Sequence, residues 1–210
     1  MTLVALNINN LTDARYYSAR GAEYLTFKFP SSIEEAPTLF KRIQDILDWV
    51  EGVKILFQCT LENVGLIKKL QLPFEIAGFV LPYNAPSDSF SLGKIFYEFP
   101  LNKHKIFSEF SRALQEIPKE SSVFFTWNDT TDAFDIFASK IMKEDKWADV
   151  FVFYDAYLET TVGSETAIPL IQTLRPNGIL MNSGEEEVVG EKNYDAEDDF
   201  LDKLEELKWV

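Results

Sequence analysis

INNLTDARYYSARGAEYLTFKF, residues 8–29, forms one complete strand–helix–strand repeat when the preceding apolar run Leu3–Leu6 is included. A nearly continuous apolar run is typical of a strand that is buried on both faces. Asn9 and Asn10 can accept the first free N–H groups of the helix that follows, and Gly21 is suited to close it. Parallel strands need such a helical crossover between them. The segment therefore predicts a β-α-β unit.

The same alternation recurs along the whole chain. The predicted strands after the first are Tyr24–Phe29, Val53–Phe57, Phe74–Leu81, Lys94–Phe99, Val123–Trp127, Val150–Tyr154 and Gly178–Met181. Residues 83–92 are too short and too rich in Ser, Pro and Asp for a full helix, so the fourth repeat is shortened. This pattern predicts an α/β protein, a single (β/α)8 TIM barrel over residues 1–210. An open doubly wound sheet is the alternative, but its glycine-rich first turn is absent.

Composition argues against nucleic-acid-binding, membrane-bound and disulfide-rich classes of protein. With 210 residues, 46% of them hydrophobic, the chain can bury one large core. A net charge of −14 opposes binding to nucleic acid or to an anionic membrane. A single cysteine excludes an intrachain disulfide framework, and no run suits export or membrane spanning. We expect a cytoplasmic monomer or homodimer, without a metal or other cofactor.

Two stretches carry a resemblance to a known family. NINNLTDARYYSARGAEYLTFKF (residues 7–29) resembles the first repeat of phosphoribosylanthranilate isomerase, a TIM barrel enzyme of tryptophan biosynthesis. LRPNGILMNSGEEEVVGEKNYDAEDDFLDKLEEL (residues 174–207) resembles that family's last strand, phosphate loop and last helix. The resemblance implies the barrel fold, isomerase ancestry and a small phosphorylated ligand at the C-terminal mouth of the barrel.

The family's acid–base residues do not carry over. The resemblance implies a cysteine base at the end of the first strand, where this chain has Leu6 followed by Asn7. It implies an aspartic acid after the sixth strand, where this chain has Asn128 and then Asp129. Leucine cannot exchange a proton, and an asparagine side chain has no useful pKa. We therefore predict that the isomerase activity is lost, and that Asn7, Asn128 and Asp129 occupy the former catalytic positions.

Half of the family's phosphate site is retained. Asn182, Ser183 and Gly184 match the loop that offers backbone N–H groups to the substrate phosphate, and a glycine lets an anion approach the backbone closely. The Gly-Gly turn that the family has after strand seven is replaced by YDAYLE, residues 154–159. The alternative is that Gly184 only allows the turn into the last helix.

Charged residues near the ends of predicted strands form a second group of candidates. Lys28 lies near the end of strand two, Glu98 near the end of strand five, and Asp155 at the end of predicted strand seven. Two carboxylates can share acid–base work when burial raises the pKa of one of them. The alternative is three solvated residues at the rim. Cys59, which follows strand three, could face the mouth, but a lone cysteine is more often a small buried apolar residue.

Three functions remain open at this stage. The first is a catalytically altered relative of the isomerase that binds a small phosphorylated molecule at the mouth. The second is a binding or structural barrel without turnover, whose 18 Phe, 8 Tyr and 4 Trp could fill the mouth or support a partner surface. The third is a genuine isomerase with relocated acid and base groups.

Overall fold

Eight parallel strands close into a barrel in which each strand pairs with its neighbours in sequence, and β8 pairs with β1. The computed structural model describes residues 1–85, 93–102, 107–119, 121–182 and 192–207. The strands are β1 Thr2–Leu6, β2 Ala22–Lys28, β3 Lys54–Gln58, β4 Gly78–Pro82, β5 Lys94–Leu101, β6 Ser122–Trp127, β7 Asp155–Glu159 and β8 Gly178–Asn182. The prediction of a TIM barrel is confirmed, and the open sheet is excluded.

Helices follow the strands on the outside of the barrel. They are α1 Leu11–Ala19, α2 Ala36–Leu47, α3 Leu61–Ile67, α4 Phe107–Gln115, α5 Thr131–Ile141, α6 Asp145–Phe153, α7 Ala167–Leu174 and α8 Asp195–Glu206. Between β4 and β5, residues 83–85 and 93 contain no helix, and residues 86–92, on which the prediction of a shortened fourth repeat mainly depends, lie outside the described residues. No helix among the described parts of the chain is long and apolar enough to cross a membrane.

The first repeat forms as its sequence predicts. Asn10 caps α1, because its side-chain oxygen accepts a hydrogen bond from the Asp13 N–H at 2.7 Å. Gly21 follows the helix with a φ of 81°, in the left-handed region that glycine adopts most easily. These two residues set the bounds of α1 and so fix where β2 begins.

The predicted position of strand seven is wrong. Residues 150–153 belong to α6, and the strand begins at Asp155. A short apolar run such as VFVF is compatible with a strand or a buried helix, and periodicity alone cannot distinguish them. In the structure Phe151 packs against Phe125, whereas Val152 and Phe153 are exposed, which is the pattern of a helix with one buried face.

Two apolar layers build the core. The barrel interior is filled by Val4, Leu6, Tyr24, Leu56, Val80, Phe96, Phe124, Tyr157 and Leu180. The larger layer lies between the strands and the surrounding helices. Because the interior is filled with side chains, the barrel is a packed core rather than a pore, and a ligand has access only at its ends.

Gly178 is required for closure of the barrel. A Cβ atom at this position would overlap the Tyr157 ring on β7 and the Thr2 carbonyl oxygen on β1. We expect Gly178→Ala to lower the free energy of unfolding by about 1–3 kcal/mol, because the closing strands must move apart. Urea denaturation tests this, with Gly65→Ala in α3 as the control, since a Cβ there meets no atom within 4 Å. An equal loss in both variants would contradict the prediction.

Candidate active site at the C-terminal end of the barrel

The C-terminal ends of the strands surround a small cavity of ≈ 60 Å³. Its apolar lining comes from Leu6, Val80 and Phe124, which belong to the packed interior. Its remaining lining residues are Asn7, Thr26, Gln58, Glu98, Thr126, Trp127, Asn128, Glu159 and Asn182. The structure therefore brings together four residues that the sequence singled out: Asn7, Glu98, Asn128 and Asn182.

Glu159 is the most deeply placed charged group of this cavity. It ends β7 and is 9% exposed. Its Oε2 accepts a hydrogen bond from the Trp127 backbone N–H at 2.8 Å, and its Oε1 has no hydrogen-bond partner among the described residues. Burial raises the pKa of Glu159 to about 7, and the nearby Glu98 carboxylate adds to the rise, whereas the Trp127 N–H opposes it. Glu159 can therefore gain or lose a proton near neutral pH.

Glu98 is the second carboxylate of the cavity and is held firmly. Its Oε2 accepts a hydrogen bond from Gln58 Nε2 at 2.7 Å, and its Oε1 accepts one from Thr126 Oγ1 at 3.1 Å. Donors from β3 and β6 thus fix the orientation of this β5 side chain. The cavity contains two carboxylates in different environments, one with donors on both oxygens and one with a single donor.

Two asparagines connect β1 to β8 at the rim. Asn7 has a φ of 56°, a left-handed conformation that asparagine tolerates better than most residues. Its backbone N–H donates to Thr26 Oγ1 at 2.9 Å, and its Nδ2 donates to Asn182 Oδ1 at 3.1 Å. The Asn182 carbonyl oxygen accepts a hydrogen bond from the Tyr17 hydroxyl at 3.2 Å. Asn7 and Asn182 are therefore held in place by their hydrogen bond to each other and by hydrogen bonds to Thr26 of β2 and Tyr17 of α1.

The other predicted site residues lie elsewhere. Lys28 ends β2 and is exposed, and neither Lys28 nor Asp129 lines the cavity. Ser183 and Gly184, which the sequence resemblance matches to a phosphate loop, lie outside the described residues. The prediction that they bind phosphate stays a prediction.

The predicted position of Asp155 at the mouth is wrong, because this residue begins β7 instead of ending a strand. It lies at the opposite, N-terminal end of the barrel, where its Oδ2 accepts hydrogen bonds from Ser122 Oγ at 2.5 Å and from Lys94 Nζ at 3.4 Å. TIM barrel enzymes have their active sites at the C-terminal end, so the hydrogen bonds of Asp155 at the N-terminal end serve stability rather than catalysis. Asp155 therefore cannot pair with Glu98 or Lys28 at the mouth.

Because strand seven was predicted too early, the predicted position of the turn after it, residues 154–159, is also wrong. Residues 154–159 are mostly β7 itself, and the turn that follows spans residues 160–166. It is held by Asp135 of α5, whose carboxylate accepts hydrogen bonds from Ser164 Oγ at 2.5 Å and Thr166 Oγ1 at 2.6 Å. These hydrogen bonds lower the pKa of Asp135. The turn after β7 therefore has the sequence TTVGSET, residues 160–166. It contains one glycine, Gly163, and no Gly-Gly pair.

Cys59 is not part of the mouth. It belongs to the layer between strands and helices, and burial raises the pKa of its thiol to about 12, which makes it unreactive at neutral pH. The interpretation of Cys59 as a small buried residue is confirmed.

Within the described ranges there is no group of three or more His, Cys, Asp or Glu residues that could hold a metal ion.

Sequence reasoning missed Glu159, although a signal was present. In DAYLE, residues 155–159, polar or amphipathic side chains alternate with apolar Ala156 and Leu158. Period-two alternation is the strand signal, and it places Asp155, Tyr157 and Glu159 on one face. The same period-two alternation applies to β3 and β6. It places Gln58 and Thr126, which orient Glu98, on the faces of their strands that line the cavity.

Comparison with known proteins supports the fold. No protein-family model matches the chain, and no curated protein matches it. Among solved structures it is similar to phosphoribosylanthranilate isomerase from Thermotoga maritima, with 18% identity, a TM-score of 0.69 and coverage of 98% of this chain and 100% of the other. The isomerase from Thermus thermophilus has 18% identity and a TM-score of 0.65, covering 99% and 100%.

A third similar structure contains a ligand. It is a phosphoribosylanthranilate isomerase in complex with reduced 1-(o-carboxyphenylamino)-1-deoxyribulose 5-phosphate, with 18% identity, a TM-score of 0.69 and coverage of 98% and 99%. This chain therefore has the same barrel fold as these isomerases. At this identity the likeness establishes the fold alone, so function must be argued from the cavity.

Proposed function

We propose that this barrel has lost the isomerase reaction and uses its C-terminal mouth as a small-molecule site, with Glu159 and Glu98 as an acid–base pair. The observation that carries the proposal is that both carboxylates line one cavity at the C-terminal strand ends. TIM barrel enzymes have their active sites at this end. Glu159 and Glu98 come from different strands, β7 and β5, as catalytic residues of this fold usually do.

The two carboxylates suit different roles. A general acid or base works best when its pKa lies near the working pH, and burial gives Glu159 a pKa of about 7. Its Oε1 has no partner among the described residues, so a ligand atom can take that place. Glu98, oriented by Gln58 and Thr126, supplies a fixed acceptor beside it. Glu159 would exchange the proton, and Glu98 would orient the ligand.

The loss of the isomerase reaction is supported by the positions that the family uses for acid and base. Leu6 is buried in the barrel interior and offers only hydrocarbon to the cavity. Asn7 and Asn128 line the cavity with carboxamides, which do not exchange protons at neutral pH. The carboxylates of the cavity, Glu98 and Glu159, lie on strands five and seven, whereas the resemblance places the family's base and acid on strands one and six.

A phosphorylated ligand remains part of the proposal on sequence grounds. It is supported by the resemblance of residues 182–184 to a phosphate loop and by the phosphate-bearing ligand of one similar structure. The described lining residues include no cation that could neutralise a phosphate within the cavity. A phosphate group would therefore have to lie at the rim, with the rest of the ligand directed towards Glu159.

A barrel that binds a partner without turnover is the second candidate. It is favoured by the volume of the cavity, ≈ 60 Å³, which is well below the roughly 300–1,000 Å³ of typical ligand sites. A cavity of this size admits one functional group of a ligand rather than a whole sugar phosphate. A thermal-shift screen with sugar phosphates separates the candidates, because saturating ligand at a hundredfold excess over its Kd adds about 2.7 kcal/mol of stability.

Complementation tests the lost reaction directly. We expect the chain, expressed in a bacterial tryptophan auxotroph that lacks the isomerase, to give no growth without tryptophan, because the aligned base and acid are Leu6 and Asn128. An authentic isomerase expressed from the same vector is the positive control, and immunoblotting of the soluble fraction shows that the chain is present. Growth that depends on the chain would contradict the proposal and support the genuine isomerase.

A further inference from the structure

We propose that the group bound in this cavity is a protonated amine of a small molecule. The inference rests on the proposed function, because it names the ligand chemistry of the same site. It is carried by the charges that line the cavity, by a Glu159 oxygen that accepts no hydrogen bond from the described residues and by the cavity's size.

The charged side chains that line the cavity are both acidic. Among the described lining residues, Glu98 of β5 and Glu159 of β7 are the only titratable or charged side chains, and the others are neutral. Lys28 of β2 and Asp129 after β6 stand outside the lining. Two carboxylates that share a small cavity repel one another, and a cation between them removes this repulsion. An anion would add to it.

The hydrogen-bonding groups of the cavity also favour a ligand that donates hydrogen bonds. Glu159 Oε1 has no hydrogen-bond partner among the described residues, although the side chain is more than nine-tenths buried and lines the cavity. An ammonium group carries three N–H donors and no acceptor, so it matches this oxygen and the neighbouring carboxamide oxygens. Glu159 Oε1 is accessible from the cavity, because it is not among the fully enclosed side-chain atoms that lack a partner.

The size of the cavity limits which part of a ligand can enter it. Its volume of ≈ 60 Å³ is well below the roughly 300–1,000 Å³ of typical small-molecule sites. An ammonium group with one or two carbon atoms is small enough for such a site, whereas a whole phosphorylated sugar needs a larger one. The amine would therefore be the end of the ligand that reaches Glu159.

The test uses ethanolamine as the probe, with ethylene glycol as its neutral counterpart and inorganic phosphate as the anion. Binding to the ¹⁵N-labelled full chain is measured by NMR shift titration at pH 6 and pH 8. We expect ethanolamine to bind more tightly than the other two and about tenfold more tightly at pH 8, because a cation prefers the ionised Glu159.

Matched variants separate the possible outcomes. We expect Glu159→Gln to weaken ethanolamine binding about tenfold at pH 8 and to abolish the pH dependence, since it keeps the shape and removes the charge. Glu23→Gln, at the N-terminal end of the barrel, should leave binding unchanged. Equal or tighter binding of ethylene glycol or phosphate would overturn the amine assignment while leaving the acid–base pair intact. No binding of ethanolamine, or binding unaffected by Glu159→Gln, would also overturn it.

Discussion

Replacing Asp13 by asparagine should lower the free energy of unfolding by about 3 kcal/mol, because it removes one charge of a buried ion pair. Asp13 is 2% exposed. Its Oδ1 accepts hydrogen bonds from Lys192 Nζ at 2.8 Å and from the Tyr194 hydroxyl at 2.6 Å. Its Oδ2 accepts one from Asn10 Nδ2 at 3.0 Å. An asparagine of the same size keeps the shape and loses the charge.

The effect extends beyond one ion pair. Lys192 and Tyr194 precede α8, whereas Asp13 lies in the first turn of α1, so these contacts join the two ends of the chain. The Tyr194 ring also stacks on the Tyr16 ring, with centroids 3.8 Å apart. Loss of the Asp13 carboxylate should therefore loosen the approach of α8 to the barrel.

Urea denaturation at neutral pH measures this prediction. Glu23→Gln is the control, because it breaks a single ion pair, Glu23–Lys54, whose side chains are both exposed. Surface pairs contribute little to stability, so the control should leave the midpoint unchanged. If Asp13→Asn unfolds at the same urea concentration as the wild type, the pair between Asp13 and Lys192 is not a major contributor to stability.

Glu159 should make the folded protein less stable as the pH rises. The folded-state pKa, about 7, lies above the ordinary value of 4.5, so between these values the folded state holds a proton that the unfolded state has released. Stability therefore falls as the pH rises from about 4.5 to 7 and stays low above that range. At 1.36 kcal/mol per pH unit, the loss is about 3 kcal/mol.

Glu159→Gln should remove this penalty. We expect the variant to gain about 3 kcal/mol relative to the wild type when urea denaturation at pH 8 is compared with the same measurement at pH 4.5. A buried glutamine cannot ionise, so the part of the slope that comes from this position disappears. Glu62→Gln, on the exposed surface of α3, is the control for a general effect of removing a carboxylate. A parallel pH dependence in wild type and Glu159→Gln would contradict the prediction.

A stabilising substitution at Glu159 would also be informative about function. Active sites often retain groups that reduce stability because the reaction needs them. A buried carboxylate with one empty oxygen is such a group. The presence of Glu159 at the mouth of this barrel is explained by a role in binding or proton transfer rather than by packing.

The fold was largely predictable from sequence because its signals are local. Asn10 and Gly21 mark the ends of α1, and buried parallel strands appear as apolar runs. Strand seven was placed too early because the run at residues 150–154 has the composition of a strand. Its assignment to α6 depends on contacts such as those of Trp147 with Phe110 and Phe125, which are distant in sequence.

The candidate site was only partly predictable because its chemistry depends on distant contacts. The family resemblance identified Asn7, Asn128 and Asn182, and a strand-end position identified Glu98; all four line the cavity. The environment of Glu159 arises from burial against β6 and from Glu98, 61 positions earlier in the sequence. Likewise, Asp13 could be recognised as a helix N-terminal charge, whereas its partner Lys192 is 179 residues away.

The most direct measurement is an NMR titration of the Glu159 side-chain carboxyl carbon in the full chain, assigned by comparison with Glu159→Gln. We predict a titration midpoint near pH 7, and a lower midpoint in Glu98→Gln because the neighbouring negative charge is removed. A midpoint near the ordinary value of 4.5 would contradict the assignment of Glu159 as the acid–base group of this mouth.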